Sequence, residues 1–564
     1  MNSKKCAAVS GISVLYFVLC IVFGVLKYST NDDAIMNMIA AGAYGSPSQY
    51  LIYNNIVIGY ALKIMYTVIP FVNWYLWMYL VFNLLSVIVV CLVLTDRISI
   101  RYTVLVTVLV NLLLSYDFYS EIQFTQSSTF YAIAGASLIL LLMFKEKKSI
   151  PLMVLGTVLV AMGVGARALG VGIMLPFLFF AILFYKGEFR PKVKKVLIYF
   201  AAPVITSVFL LAVNFYTYYM NPEWKNFMVW NNIMVEKCDH GNYNFAWNSD
   251  EYINAGFTEN DFKLLDMWLW NDTDYFSLDK LQEMREIGKD TRVDRLRLDA
   301  EVFSGTVNNI ANSWKYGASP VIFLVITLIS LCLFKVRYKL LVLLQALFVF
   351  AEYYVLTCSK RIMWRVESGI WLSALFFTLI TLIYSGCFDD ILAKVTADKA
   401  KKFFGVFAVV SSTVITLIFG AQKVGVFVKD KGCRIVAETD FMYYKLDALS
   451  KLDGFYITDV DTFYGPLCGA RNIFDIDAKY RDFYGNICPF GGWVMPSPIG
   501  LYHANSNGIS NPATALIERD DVYYVGGGER TGYVYVFLNE KYGPGINMEM
   551  VDEVEGAPIW KFYK

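Results

Sequence analysis

Asp32 and Asp33 stand side by side in Ser29-Thr30-Asn31-Asp32-Asp33-Ala34, just after the first long apolar run of the chain. Two carboxylates that open an amphipathic segment (Ile35, Met36, Met38, Ile39) have two jobs open to them. Asn31 or Asp32 can cap the helix by accepting from its unpaired N–H groups. Either acid can instead serve as a general base or a cation ligand where a lipid-borne substrate reaches the membrane surface. The jobs are compatible, because one Asp can cap while its neighbour faces a cavity. On that division Asp33 is the more tolerant of substitution unless a divalent cation is bound.

Basic residues suited to an anion lie elsewhere in the chain. Arg167 sits in Gly163-Val164-Gly165-Ala166-Arg167-Ala168-Leu169-Gly170, where the glycines permit close backbone approach. A buried Arg there needs an anionic partner, either an internal carboxylate or a ligand phosphate. Lys360, Arg361 and Arg365 share the short loop 358–365. If that loop is helical, Arg361 and Arg365 fall on one face and can grip phosphate oxygens with planar donor forks. Otherwise they snorkel to lipid phosphates or pair with Glu367. Asp117 and Glu121 can complete a cation site with the first-loop acids, Asp33 among them, or stand as solvated loop acids. The two histidines, His240 and His503, are far apart and there is no Cys-x-x-Cys, which argues against zinc. Any metal would be a hard cation such as Mg2+ or Mn2+ on carboxylates, and no other cofactor is called for. Most cysteines lie in or near apolar runs, but Cys468 and Cys488 lie in polar sequence and can pair on an oxidising side.

The frame that must hold these groups is membrane-spanning. With 57% of 564 residues apolar and only 17% charged, the chain reads as an α-helical polytopic membrane protein. A net charge of +1 leaves no polybasic surface for nucleic acid. Apolar runs at 9–26, 74–94, 102–115, 127–144, 150–164, 169–185, 196–213, 320–334, 340–357, 366–384 and 403–420 give about eleven spans. Lys4 and Lys5 before the first run look like a signal peptide, but no small-residue cleavage site follows, so that run is an uncleaved helix.

Loop charge decides the ambiguous run 56–69, which carries Lys63. If it crosses, the basic loops 145–148 and 186–195 fall outside; if it lies in the interface, every cluster (Lys4/Lys5, Arg97/Arg101, 145–148, 186–195, 335–339, 394–402) falls inside. The interfacial reading puts the amino terminus in the cytoplasm and the tail outside.

Domain 1–420 then includes a first outer loop, 27–73, and a large acidic outer loop, 214–319, with a charged helix expected over 278–303. Domain 421–564 changes composition and reads as an extracytoplasmic α/β unit: a helix at 441–452, a strand at 454–458, a helix–strand pair at 513–524, and strands at 533–538, 548–554 and 558–563. Gly526-Gly527-Gly528 follows a strand, but no helix pattern follows it, so it reads as a turn.

A first span, an outward loop opening with an acidic pair, an interfacial helix ending near Pro70, many further spans and an outer carboxyl-terminal domain together resemble the GT-C superfamily of membrane glycosyltransferases. The specific motif is Asp32-Asp33, where protein mannosyltransferases and lipid A aminoarabinose transferases of that superfamily commonly have Asp-Glu. The resemblance implies a polyprenyl-phosphate-linked sugar donor, an extracytoplasmic acceptor, Asp32 as the catalytic acid, and a single displacement in which polyprenyl phosphate leaves. Arg167, Arg361 and Arg365 would then stabilise the departing phosphate, and outer aromatics such as Trp493, Tyr502, Tyr523 and Tyr524 would be core or would hold an acceptor glycan. Two other classes place ionisable groups among spans or a domain outside: a transporter or flippase of lipid-linked or anionic substrates, and a membrane-anchored binding protein that acts through its outer domain.

Overall fold

The computed structural model describes residues 3–24, 26–185, 189–270, 272–387, 413–422, 446, 448–460, 462 and 485–564. Among the described residues eight helices are long and apolar enough to cross a membrane: Ser3–Phe23 (α1), Trp74–Thr95, Ile100–Ser120, Phe124–Phe144, Ile150–Phe184, Lys192–Tyr219, Val336–Cys358 and Trp364–Tyr384. A ninth follows if Ala300–Lys315 and Ser319–Leu333, bent by 108° at their junction, are taken together. The chain is a multi-pass helical membrane protein.

The count differs from the expected eleven for two local reasons. Most of run 403–420 lies outside the described residues, as do the basic loop 394–402, half of the helix expected at 441–452, and Cys468. The other reason is one of counting: runs 150–164 and 169–185 are the two arms of one continuous helical element, Ile150–Phe184, broken at Arg167 (φ −166°, ψ 111°), and so enter the eight once. Straight, its 35 residues would extend about 52 Å, far past the ~30 Å apolar core of a bilayer. It folds back instead. Gly156 lies against Gly135 and Ile139, and Gly163 against Ser128 and Ala132, so the first arm runs antiparallel to Phe124–Phe144. The Thr129 hydroxyl donates to the Gly170 carbonyl (2.9 Å) and the Tyr185 hydroxyl to the Phe144 carbonyl (2.7 Å), so the second arm runs parallel to it. Arg167 is the tip of a helical hairpin.

The hairpin closes around Phe124–Phe144, which is buried along its whole length, while only 11% of the apolar window of Lys192–Tyr219 is buried. Small residues make that central packing possible, since lipid gives helices no hydrophobic reason to associate and close contact must supply it. A Cβ on Gly135 would stand 2.5 Å from the Gly156 carbonyl oxygen, and one on Gly163 2.7 Å from that of Ser128.

Helix α2 (Asn31–Ala41) and helix α3 (Ile56–Val68) lie at the hairpin-tip end. At 13 residues α3 spans about 20 Å, too short to cross. It starts where the Asn55 N–H meets the Gly165 carbonyl (2.7 Å), and near its end the Tyr66 hydroxyl meets Asn37 of α2 (2.5 Å). Both ends thus lie on one face, as the interfacial reading of 56–69 requires. The basic loops gather at the opposite end: Lys5 donates to the carbonyls of Thr95 and Asp96, Lys145 pairs with Asp96 (2.5 Å), Lys195 with Glu146 (2.5 Å), and Arg337 donates to the Tyr185 carbonyl (2.7 Å).

Beyond the tip end, strands β1 (Lys27–Tyr28) and β2 (Glu121–Ile122) form a short parallel ladder, braced by Lys27–Glu121 (2.9 Å). Farther along, β3 (Phe455–Thr458), β4 (Ile487–Pro489), β5 (Val522–Val525), β6 (Asn547–Val554) and β7 (Ala557–Tyr563) build a mixed sheet of order β4-β3-β5-β7-β6. Three details depart from the sequence reading. Residues 533–538, rich in aromatic and β-branched types, belong to helix Gly528–Tyr542, because Thr531, Val534, Phe537 and Leu538 turn one helical face to the core. That helix follows the three glycines directly. The charged helix stops at Gly288 and restarts at Ala300, with Asn242 accepting from the Val293 N–H between them (2.8 Å) and Asp299 capping the restart (2.8 Å).

Because the hairpin packs on glycine, Gly163→Val should lower stability by about 1–3 kcal/mol or abolish the fold. Gly172→Ala, with no atom within 4 Å of the new Cβ, should leave it unchanged. Thermal unfolding in detergent measures both.

Candidate active site

Helix α2 begins after Thr30, whose hydroxyl makes no cap bond but donates to Asp33 Oδ2 (2.9 Å). The expected cap by Asn31 or Asp32 is therefore not formed. Asp33 is fully buried, and its Oδ1 accepts from the Tyr75 hydroxyl (2.9 Å) and the Phe124 N–H (3.1 Å). Burial pushes its carboxyl up to about 8, against the hydrogen bond from Tyr75 and that from Thr30, with neighbouring Asp32 adding to the rise. Asp33 is an anchor that ties α2 to Trp74–Thr95 and Phe124–Phe144.

Successive helical residues point about 100° apart, so Asp32 faces away from that anchor. Its Oδ1 accepts from the Trp493 indole N–H (2.9 Å), a residue from the far end of the chain. Burial raises its carboxyl, while Arg167, then the Trp493 bond, then Arg365 and Arg361 pull it down. The Asp32 carboxylate in the field of three guanidinium groups, one of them already paired with Asp239, is the core of the site.

Each guanidinium is positioned by its own element. Arg167, at the hairpin tip, lies over the rings of Phe124 (5.0 Å) and Tyr53 (5.5 Å), rings that stack on each other and hold the cation by their π faces. The carbonyls freed by the break are taken up: Ala166 accepts from the Asn54 side chain (2.8 Å) and Gly165 from the Asn55 N–H. Ile52, a β-branched residue at φ 68°, sets the turn that presents Tyr53 and is held by its N–H bond to the Tyr218 hydroxyl (2.9 Å). Arg361 pairs with Asp239 (2.6 Å), and His240 Nδ1 lies 3.1 Å from the Ser359 carbonyl, so the large outer loop docks on the 358–361 turn. Burial raises the Asp239 carboxyl and Arg361 pulls it down. Arg365 opens helix Trp364–Tyr384, while Glu367, the partner considered for it, accepts from the Tyr353 hydroxyl instead (2.9 Å). Among the described residues neither Arg167 nor Arg365 forms an ion pair.

Trp493 arrives through a tight splice between the outer loop and the tail. Leu269 and Gly491 make an isolated antiparallel bridge, and the Gly492 N–H meets the Trp268 carbonyl (3.1 Å). A Cβ on Gly491 would lie 1.8 Å from that carbonyl oxygen, so only glycine fits. Buried Asp261 pairs with Lys541 (2.9 Å) and Asn511 donates to Asp272 (2.9 Å), which locks loop to tail. Trp493 also meets Tyr53 edge-on at 5.0 Å.

Of the expected residues, the structure brings Asp32, Arg167, Arg361 and Arg365 together and sets Asp33 behind them. Arg361 and Arg365 do not share a helix face: Arg361 lies in an irregular turn, and convergence comes from the turn itself. Lys360 is exposed at φ 55°. The cation cluster of Asp33, Asp117 and Glu121 is not formed, because Asp33 is consumed by Tyr75, Thr30 and Phe124, and Glu121 by Lys27. Among the described residues no three His, Cys, Asp or Glu side chains are grouped as metal ligands. Tyr53 and Asp239 went unrecognised in the sequence; the acidic outer loop was the one signal for Asp239.

No family model and no curated protein matches the chain. Solved structures do. ArnT from Cupriavidus metallidurans bound to undecaprenyl phosphate is similar at 8% identity and a TM-score of 0.40, over 99% of this chain and 98% of that one. The Archaeoglobus fulgidus oligosaccharyltransferase tethered with an acceptor peptide is similar at 11% identity and a TM-score of 0.41, over 97% of this chain and 69% of that one. At these values the likeness is one of overall outline.

Asp33→Ala leaves buried donors from Tyr75, Thr30 and Phe124 without an acceptor and should cost roughly 1–3 kcal/mol. Asp32→Asn keeps an oxygen for Trp493 and should shift stability far less. Melting curves in one detergent compare them.

Proposed function

We propose that this protein is a membrane glycosyltransferase of the GT-C kind, moving a sugar from a polyprenyl-phosphate donor to an extracytoplasmic acceptor. The observation that carries this reading is one carboxylate, Asp32, set among Arg167, Arg361 and Arg365 at the hairpin-tip end of the bundle. Asp239 already neutralises Arg361, so the guanidinium groups of Arg167 and Arg365 are the ones available to an incoming anion. Buried positive charge of that kind calls for a phosphate or carboxylate ligand. A lipid phosphate reaches it from the bilayer, because the cluster lies at the ends of apolar helices.

Asp32 accepts the proton of the acceptor hydroxyl as that oxygen attacks the anomeric carbon. The bond between the anomeric carbon and the phosphate oxygen breaks, and its electron pair leaves with polyprenyl phosphate, where Arg167 and Arg365 stabilise the added charge. Trp493 occupies Oδ1 and so leaves Oδ2 to face the acceptor. No step runs through a metal. Placement of the charges at the bundle end rather than at mid-depth favours transfer over transport, which needs ionisable groups near the bilayer midplane.

Asp32→Asn should cut transfer from a polyprenyl-phosphate sugar by roughly two orders of magnitude or more. Arg365→Ala should raise the KM for donor, with Arg365→Lys restoring part of it, because a point charge replaces a two-pronged contact poorly. Full transfer by Asp32→Asn at equal protein level would end the assignment.

The pH profile gives an independent check. A base must be deprotonated to act, and burial lifts Asp32, so activity should fall below a pH above the ordinary carboxylate value of about 4. Arg167→Gln removes the largest opposing influence, so the acid limb should move to higher pH. A limb that stays in place separates Asp32 from the proton transfer.

A further inference from the structure

The large outer loop and the tail enclose a cleft of about 540 Å³ away from the arginine cluster, within the roughly 300–1,000 Å³ of small-molecule sites. One wall is helix Pro222–Met234, where Glu223, Asn226 and Trp230 recur at one-turn spacing and so share a face. The other is helix Pro498–Ser506, where Tyr502 and Asn505 stand three residues apart. Trp270 closes the floor. Its ring meets Trp230 edge-on at 5.4 Å, and its indole N–H is buried with no hydrogen-bond partner among the described residues. Trp230 by contrast is satisfied, donating to the Phe276 carbonyl (3.1 Å).

We infer that this cleft binds a saccharide, as the docking site for the acceptor glycan; the inference rests on the glycosyltransferase reading above and names its acceptor class. Sugar rings carry apolar C–H faces and a rim of hydroxyls, so they suit aromatic surfaces set beside amides and a carboxylate. The Tyr502 ring, 65% exposed although it sits on a packed helix, offers such a surface. Glu223, Asn226 and Asn505 line the same cleft with hydroxyl-binding groups, and neither Lys nor Arg lines it, so an anionic ligand has nothing to pair with. The position fits the chemistry. Trp270 follows Trp268 and Leu269, which bond to Gly491 and Gly492, and the next residue is Trp493 on Asp32. One splice of chain joins the cleft floor to the reactive carboxylate.

The full-length protein in detergent is titrated with an N-acetylglucosamine hexamer and a mannose hexamer, with a neutral hexapeptide as control, and tryptophan fluorescence and calorimetry are read. At least one oligosaccharide should bind saturably. Tyr502→Ala should weaken it roughly tenfold, the loss of one stacking surface, and Tyr502→Phe should preserve it. Asp32→Asn should bind oligosaccharide as the wild type does while losing transfer. Saturable binding of neither oligosaccharide, equal affinity in Tyr502→Ala, or binding of the peptide in their place would overturn the cleft assignment. Retained transfer by Asp32→Asn with oligosaccharide binding lost in Tyr502→Ala would leave the cleft standing and remove the mechanism.

Discussion

Everything in this molecule turns on keeping one carboxylate charged in a place that resists charge. Asp32 is half-buried, and an ionised group there is tenable only with compensation close by. Arg167, Arg361, Arg365 and the Trp493 indole supply it. None of the four is a sequence neighbour of Asp32. They come from a hairpin tip, an irregular turn, a helix start and a splice in the tail, so the fold's main task is convergence. Removing one partner of a fully buried set typically costs about 3–5 kcal/mol, against ~0–1 kcal/mol for an exposed pair, and this half-buried set falls between the two. That is why the surrounding backbone is so heavily tied down, by Asn54 and Asn55 at the tip, by His240 at the turn, and by Leu269–Gly491 at the splice.

Two carboxylates next to each other have opposite duties for a geometric reason. A helix turns about 100° per residue, so while Asp33 faces Tyr75 and Phe124, Asp32 points elsewhere, toward Trp493. The first fixes the height and rotation of α2, and the second uses that fixed position. The placement of Asp32 therefore depends on the burial of Asp33.

Much of this was legible in the sequence. Apolar runs were enough to assign a multi-pass helical bundle, and loop charge to group the basic loops at one end of it, because lipid imposes a length and a composition on every span. Asp32, Arg167, Arg361 and Arg365 stood out as charges where charge is costly. The rest was hidden for specific reasons. Residues 533–538 carry a strand's composition but are folded as a helix by the core beneath them. Long-range partners such as Trp493 and Asp239 leave no local pattern, since their meaning lies in which distant residue they touch. Asp117 and Glu121 looked like ligands because acidity alone cannot reveal that Lys27 claims one of them.

The central claim is that the guanidinium groups beside Asp32 receive a lipid-borne phosphate. The most direct measurement is a cryo-electron microscopy map of the protein in nanodiscs loaded with polyprenyl phosphate. The phosphate should lie within hydrogen-bond distance, about 3 Å, of both Arg167 and Arg365, with its tail leaving between the apolar helices toward the bilayer. A phosphate held at the basic end near Lys145 and Lys195, with the Arg167–Arg365 gap unfilled, would contradict the account.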